Sequence, residues 1–461
     1  ALAGLGVTAR EDPVRVDPTF AFLGEPTLPF VPSGSFITST WFCPGVPAGE
    51  DGVGGSVIVA NPADEELDGR VTVYTSAPDV AAVSRPITVP ARDSREIDLR
   101  GLQSEGSFLS AVVEIDNGGG FVEQVARHPA GDAVAACSNA ASSNWYFADG
   151  FTVDDSPFRL VLTNPYPDAA IVDIGFVTDD GIRNPSRLQG FPVPGRSVRV
   201  VDLGARDEAV IGTKIRSTRG RVVAGRSQQY LGGGRLGYTM TLGAPSLSSQ
   251  WYFADGETGQ GITEQYAVYN PTDQPVDVDV VFLGVDPSDA FLNDTSVTVE
   301  PGDVQVLSTA DVAGLPTGRH GAVFSTFSES SIVVERILTR PVEQRVATTV
   351  VMGSPPALAS PRWSAAIGTE AAAEDAIVVL NVDFVDTVVT LKTLGPGGLV
   401  EVEGLEAIPL AAGEIITIPL TDPSVLGAPF VVEAGQRIYV ERSLPRGDEL
   451  RGRSGSFALA G

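Results

Sequence analysis

Trp41, Trp145, Trp251 and Trp363 are the only tryptophans in the chain, and they stand 104, 106 and 112 residues apart. Two of them open the same phrase: Trp145-Tyr146-Phe147-Ala148-Asp149-Gly150 and Trp251-Tyr252-Phe253-Ala254-Asp255-Gly256. The first copy reads Trp41-Phe42-Cys43-Pro44-Gly45, and the fourth, Trp363-Ser364-Ala365-Ala366, keeps little beyond the Trp. An Asn follows each Trp at +20, +19, +19 and +18, as Asn61, Asn164, Asn270 and Asn381, and Pro follows the first three. A chain with this internal period is a tandem array, and each copy of about 105 residues is one structural unit.

Each unit reads as strands. An apolar run precedes the Asn, as in Leu160-Val161-Leu162 or Ile377-Val378-Val379-Leu380. Alternation follows it, clearest in Val276-Asp277-Val278-Asp279-Val280, which makes one face dry and one wet. Asn-Pro between them is a turn, because Pro ends strand pairing and Asn bonds its own backbone. Short strands with turns every 8–12 residues predict an all-β chain of four tandem immunoglobulin-like β-sandwiches. The units are 39–142, 143–248, 249–360 and a degenerate terminal 361–461, preceded by an extended N-terminal arm over 1–38 that is rich in Pro. The only alanine-rich helix candidate is the short stretch Glu370 to Asp375. Short linkers such as Ala141-Ser142-Ser143 predict an end-to-end array on the order of 120–160 Å long.

Composition narrows the function. Asp and Glu number 58 against 31 Lys and Arg, a net charge of −27, so a nucleic acid would be repelled. Two His and two Cys leave little room for zinc or iron–sulfur chemistry. No apolar stretch is long enough for a membrane-spanning helix. There is no nucleophile elbow, Walker A loop, CxxC or HExxH, and so no catalytic or cofactor-binding set to name. His128 and His320 lie in the closing regions of different units and read as surface residues.

The repeated residues supply the remaining candidates. In unit 2 the positions matching Cys43 and Cys137 fall on the first and last strands, which places the two cysteines side by side. A disulfide there would close unit 1 and imply an oxidising compartment. Asp149 and Asp255 are weak metal candidates: calcium needs six to eight oxygens, and these loops supply one or two carboxylates, so an Asp-Gly turn is the plainer reading. Trp145, Tyr146, Trp251 and Tyr252 offer a candidate ligand platform for a glycan. A Trp and an Asn at fixed places in every unit fit packing and turn roles better. Arg446-Gly447-Asp448 and the sequon Asn293-Asp294-Thr295 are short matches of low specificity.

The Trp-Tyr-Phe-Ala-Asp-Gly phrase with its distant Asn-Pro resembles the repeat of an uncharacterised family of secreted proteins from high-GC Gram-positive bacteria. The resemblance covers residues from about 40 to 350 and weakens in unit 4. It implies an Ig-like fold and a place outside the membrane, and brings no catalytic residues. The missing initiator Met is consistent with a processed chain. The expected function is that of a non-catalytic, extracytoplasmic structural or interaction protein of a bacterial cell surface, acting as scaffold, spacer or assembly subunit. Its expected partners are other proteins or its own copies at the cell envelope. A carbohydrate-binding accessory module is the alternative.

Overall fold

The computed structural model describes residues 26–32, 38–204, 206–285, 295–327, 330–342, 344–369, 375–419, 426–443 and 453–461. Most of the N-terminal arm, the alanine-rich stretch, the Arg-Gly-Asp triplet and the Asn of the sequon lie outside these residues.

The chain is all-β, and unit 3 shows the plan. Its eight strands are Gln250–Thr258, Thr263–Asn270, Val276–Leu283, Thr295–Val299, Asp303–Ser308, Gly318–Thr326, Val333–Val342 and Arg345–Met352. They form two antiparallel four-stranded sheets, in the orders 1-6-3-4 and 5-2-7-8. Units 1 and 2 repeat both orders. In unit 4 the sixth and seventh strands fuse into one, Phe430–Ser443, so its two layers share a continuous sheet.

Alternation is realised as read. Val276, Val278 and Val280 point into the core, while Asp277 is exposed. All four indoles are enclosed, none more than 1% exposed. Trp145, Trp251 and Trp363 donate Nε1–H to the carbonyls of Val222, Ile332 and Ile438 at 2.8, 2.9 and 2.8 Å. A ring of that size, held on the first strand and tied to the start of the seventh, joins the two sheets of each sandwich.

The four Asn are also fully buried. Each side-chain oxygen accepts from the amide two residues on, that of Ala63, Tyr166, Thr272 or Asp383. Each amide group donates to the carbonyl four residues on, and across the turn to Val89, Val193, Val299 or Ala411. One side chain thus satisfies the backbone of two adjacent loops, which explains why an Asn recurs in every unit.

Cys43 and Cys137 form a disulfide, with Cα atoms 4.1 Å apart. The sister units fill the same space differently. A Cβ on Gly243 would sit 2.7 Å from the tip of the Phe147 ring, and one on Gly353 would sit 2.8 Å from that of Phe253. A Phe lying over a Gly therefore occupies the place that the disulfide takes in unit 1.

The units do not run end to end. The eighth strands, Asp132–Ala136, Gly237–Leu242 and Arg345–Met352, pack side by side around an axis, and the C-terminal strands of unit 4 complete the circle. Arg453 and Ser454 pair in parallel with Asp132 and Ala133, so unit 4 adds a strand to the edge of unit 1. The core shared by units 1 and 2 also takes in Ala366, Leu394 and Leu459 of unit 4. On the axis lies a small apolar cavity of about 90 Å3, lined by Val350, Met352, Trp363 and Leu459 together with Leu28 and Pro29 of the arm. Phe30 continues as a parallel bridge to Ala460. The expected elongated array is corrected to a closed ring, because the apolar flank that each unit offers its neighbour is left over at both ends of a linear array and is buried only by closure.

Candidate functional site at the junctions between units

The junctions hold the most heavily charged part of the interior. Unit 3 carries Glu335-Arg336 near the start of its seventh strand, and unit 4 carries Glu441-Arg442 near the end of its fused strand, all four buried. Adjacent residues of a strand point in opposite directions. The Glu reaches back to the preceding unit and the Arg forward to the next.

Glu335 forms a bidentate pair with Arg226 of unit 2, at 2.8 and 2.9 Å. Its Oε2 also accepts the backbone amides of Ala148 and Asp149, both at 2.8 Å. Glu441 repeats the arrangement one junction later: it pairs with Arg336 and accepts from Ala254 at 3.2 Å and Asp255 at 3.1 Å. Glu123 of unit 1 repeats it again, paired with Arg442 at 2.6 and 3.1 Å and accepting from the Ile367 amide at 3.0 Å. The Ala-Asp of the repeated phrase is thus a backbone anion cradle for the next unit's Glu. Charge-assisted, bidentate bonds of this kind combine strength with strict geometry. The guanidinium groups of Arg226 and Arg336 also lie over the rings of Phe147 and Phe253.

The junction between units 1 and 2 breaks the pattern on both sides at once. Pro44 and Gly45 stand where the other units have Ala-Asp or Ala-Ile, and Gly225 stands where the Glu would be. Pro44 lacks the amide hydrogen that the carboxylate would need. Gly225 makes room for it: a Cβ there would lie 2.7 Å from the Pro44 Cβ. In place of the Arg, Gln124 bonds both the amide of Gly45, at 3.0 Å, and its carbonyl, at 2.6 Å. Around the ring there are three ionic junctions and one neutral one.

Asp149 and Asp255 have arginine partners. Asp149 accepts from Arg235 at 3.0 Å and from the Tyr230 hydroxyl at 3.3 Å. Asp255 is surrounded by Arg319, Arg336 and Arg340. Burial opposes its ionisation, but Arg340, Arg319 and Arg336 outweigh burial and hold the carboxyl below its usual value. Glu441 is pushed upward by burial, against the attraction of Arg336. Among the described residues no group of three or more His, Cys, Asp or Glu is arranged to hold a metal ion.

The proposed ligand platform is not a surface. Trp145 and Trp251 lie inside their sandwiches. Tyr146 is buried, and Tyr252 stacks on Tyr439 of unit 4 with centroids 4.7 Å apart. The phrase is a junction element. His320 is corrected as well: it is buried, with Nε2 at 2.8 Å from Glu264, whose other oxygen accepts from Tyr266 at 2.8 Å. Gly256, opposite it, leaves space for the imidazole. His128 stacks on Tyr238 of unit 2.

Sequence reasoning missed the Glu-Arg pair. The signal was present in Glu335-Arg336 and Glu441-Arg442, with Glu123-Gln124 and Gly225-Arg226 as half-matches. Charged residues on alternating strand positions read as a solvated face unless the neighbouring unit is known.

These features define a protein of four β-sandwich units closed into a ring by repeated ion pairs. The chain belongs to a family of unknown function (DUF5719), whose model matches twice, over residues 37–233 and 239–424. Each match spans roughly two units. No curated protein sequence matches the chain. Among solved structures it is similar to Thermotoga maritima 1070, at 13% identity and a TM-score of 0.20, with 24% of this chain and 96% of that one covered. No helix among the described residues is long and apolar enough to cross a membrane.

Proposed function

We propose that the chain is a non-catalytic, extracytoplasmic interaction protein of a bacterial cell surface, a rigid scaffold or assembly subunit. The observation that carries this reading is that the repeated polar groups are used up by the architecture. The Asn side chains bond loops, three of the four indoles bond carbonyls, and the Glu-Arg pairs bond neighbouring units. A ring fixed in this way holds its outer faces in constant relative positions, which suits a docking platform better than a flexible spacer. The Cys43–Cys137 bridge supports an oxidising compartment, since such bonds persist chiefly outside the cytoplasm.

Fractionation of native cells, with thiol labelling and cross-linking of the intact envelope, tests both parts. The reading expects the chain outside the cytoplasm with neither cysteine labelled, cross-linked to a defined protein partner. Recovery from the cytoplasm with both thiols reactive would overturn it. The glycan alternative loses its Trp platform to burial and needs a different site.

A further inference from the structure

At the junction of units 2 and 3 the outer sheet of unit 2 carries a cleft of about 480 Å3. It is lined by Asp173, Gly175, Asn184, Lys214 and Arg216 of unit 2, and by Tyr269 and the Pro271–Asp273 turn of unit 3. The internal repeat shows that it is particular to this place. Strand pairing puts Gly175 beside Lys214 and Asp173 beside Arg216. At the same register unit 1 has Thr72 beside Val112, unit 3 has Val281 beside Val323, and unit 4 has Lys392 beside Val431. Only unit 2 removes the floor side chain and sets a cation next to the gap. A Cβ on Gly175 would sit 2.5 Å from Asn184 Oδ1, so any larger residue would intrude on the cleft.

The polar groups converge from both units. Lys214 and Arg216, two residues apart on one strand, share a face. Lys214 donates to the Pro271 carbonyl at 3.1 Å, which fixes its ammonium against unit 3. The Arg216 side chain is exposed and forms no ion pair among the described residues, and its charge acts on the Tyr146 hydroxyl. A bare divalent anion would fill little of this volume and would face Asp173 and Asp273 as well as the two cations. A singly charged ligand rich in hydroxyls meets the cations with its carboxylate, and the Asp and Asn groups with its hydroxyls.

We propose that this inter-unit cleft binds a small sugar acid, its carboxylate held by Lys214 and Arg216. The inference is independent of the scaffold reading.

Calorimetric titration of the full chain with sodium glucuronate, glucose and inorganic phosphate tests it. Saturable glucuronate binding is expected, with a Kd of about 1 mM or tighter and glucose and phosphate at least about tenfold weaker. Gly175→Thr and Arg216→Ser, which install the residues that units 1 and 3 carry at those registers, should each weaken glucuronate about tenfold or more without changing the melting temperature. Should Gly175→Thr fail to fold, Arg216→Ser at its exposed position decides. No saturable binding, equal affinity for phosphate or glucose, or unchanged binding by the folded variants would overturn the proposal.

Discussion

Glu123 in the first unit and Arg442 in the last, 319 residues apart in sequence, form a fully buried bidentate ion pair. With the parallel pairing of Arg453 and Ser454 to Asp132 and Ala133, it closes the ring. The same bond links units 2 to 3 and 3 to 4, so the terminal junction is built like the internal ones.

Removing one partner should be far worse than removing both. Glu123→Ala leaves the Arg442 guanidinium buried without its anion, and should lower stability by about 3–5 kcal/mol. The double variant Glu123→Leu/Arg442→Met should recover a large part of that loss. Guanidinium denaturation of the two variants and the wild type checks the order.

The neutral junction predicts a different result. Gly225→Glu alone should destabilise, because Pro44 occupies the space and offers no amide hydrogen to the new carboxylate. Adding Pro44→Ala and Gln124→Arg recreates the groups used at the ionic junctions, and should regain stability beyond the sum of the single effects. A thermal-melt comparison of the single, double and triple variants measures the coupling.

For the disulfide, the sister units supply the control. Reduction should cost about 4–5 kcal/mol in the chain-entropy model, given a separation of 94 residues. Cys43→Phe/Cys137→Gly imports the packing of units 2 and 3, and its melting temperature should not respond to reductant.

Alkaline pH should unfold the ring cooperatively. Burial first, with Glu114 adding to it, raises the Tyr74 hydroxyl to about 12, and burial likewise raises Tyr230, Tyr266 and Tyr439. A group whose pKa is higher folded than unfolded contributes stability that is complete below the unfolded value, here 10.0, and is lost as pH rises through the folded one. Phenolate absorbance should therefore rise in a step above pH 10 that coincides with loss of the near-ultraviolet dichroism. A gradual titration centred at pH 10 with the fold intact would contradict the burial described.

How much of this was legible follows from where each signal acts. Val276-Asp277-Val278 and the Asn270 turn are local, so alternation and turn chemistry reveal them. Cys43 and Cys137 are neighbours by the alignment of the repeats alone, since their counterparts in unit 2 fall on adjoining first and last strands. The roles of Glu335 and Arg336 are not local: adjacent on a strand, they face two different units, and only the assembled ring shows that neither meets water. The same holds for Asp149 and Asp255, which read as turn residues and are also partners of arginines. Ring closure was invisible for a related reason, since short linkers limit the distance between units and leave the direction of each turn free.

Small-angle scattering of the full chain tests the closed ring most directly. A compact ring of 461 residues should give a radius of gyration of about 23 Å. An open array on the order of 120–160 Å long, at about 100 residues per sandwich, would give a far larger value and a rod-like distance distribution. The ring predicts the first result, with Glu123→Ala/Arg442→Ala shifting it toward the second. A rod-like wild-type profile would contradict the account.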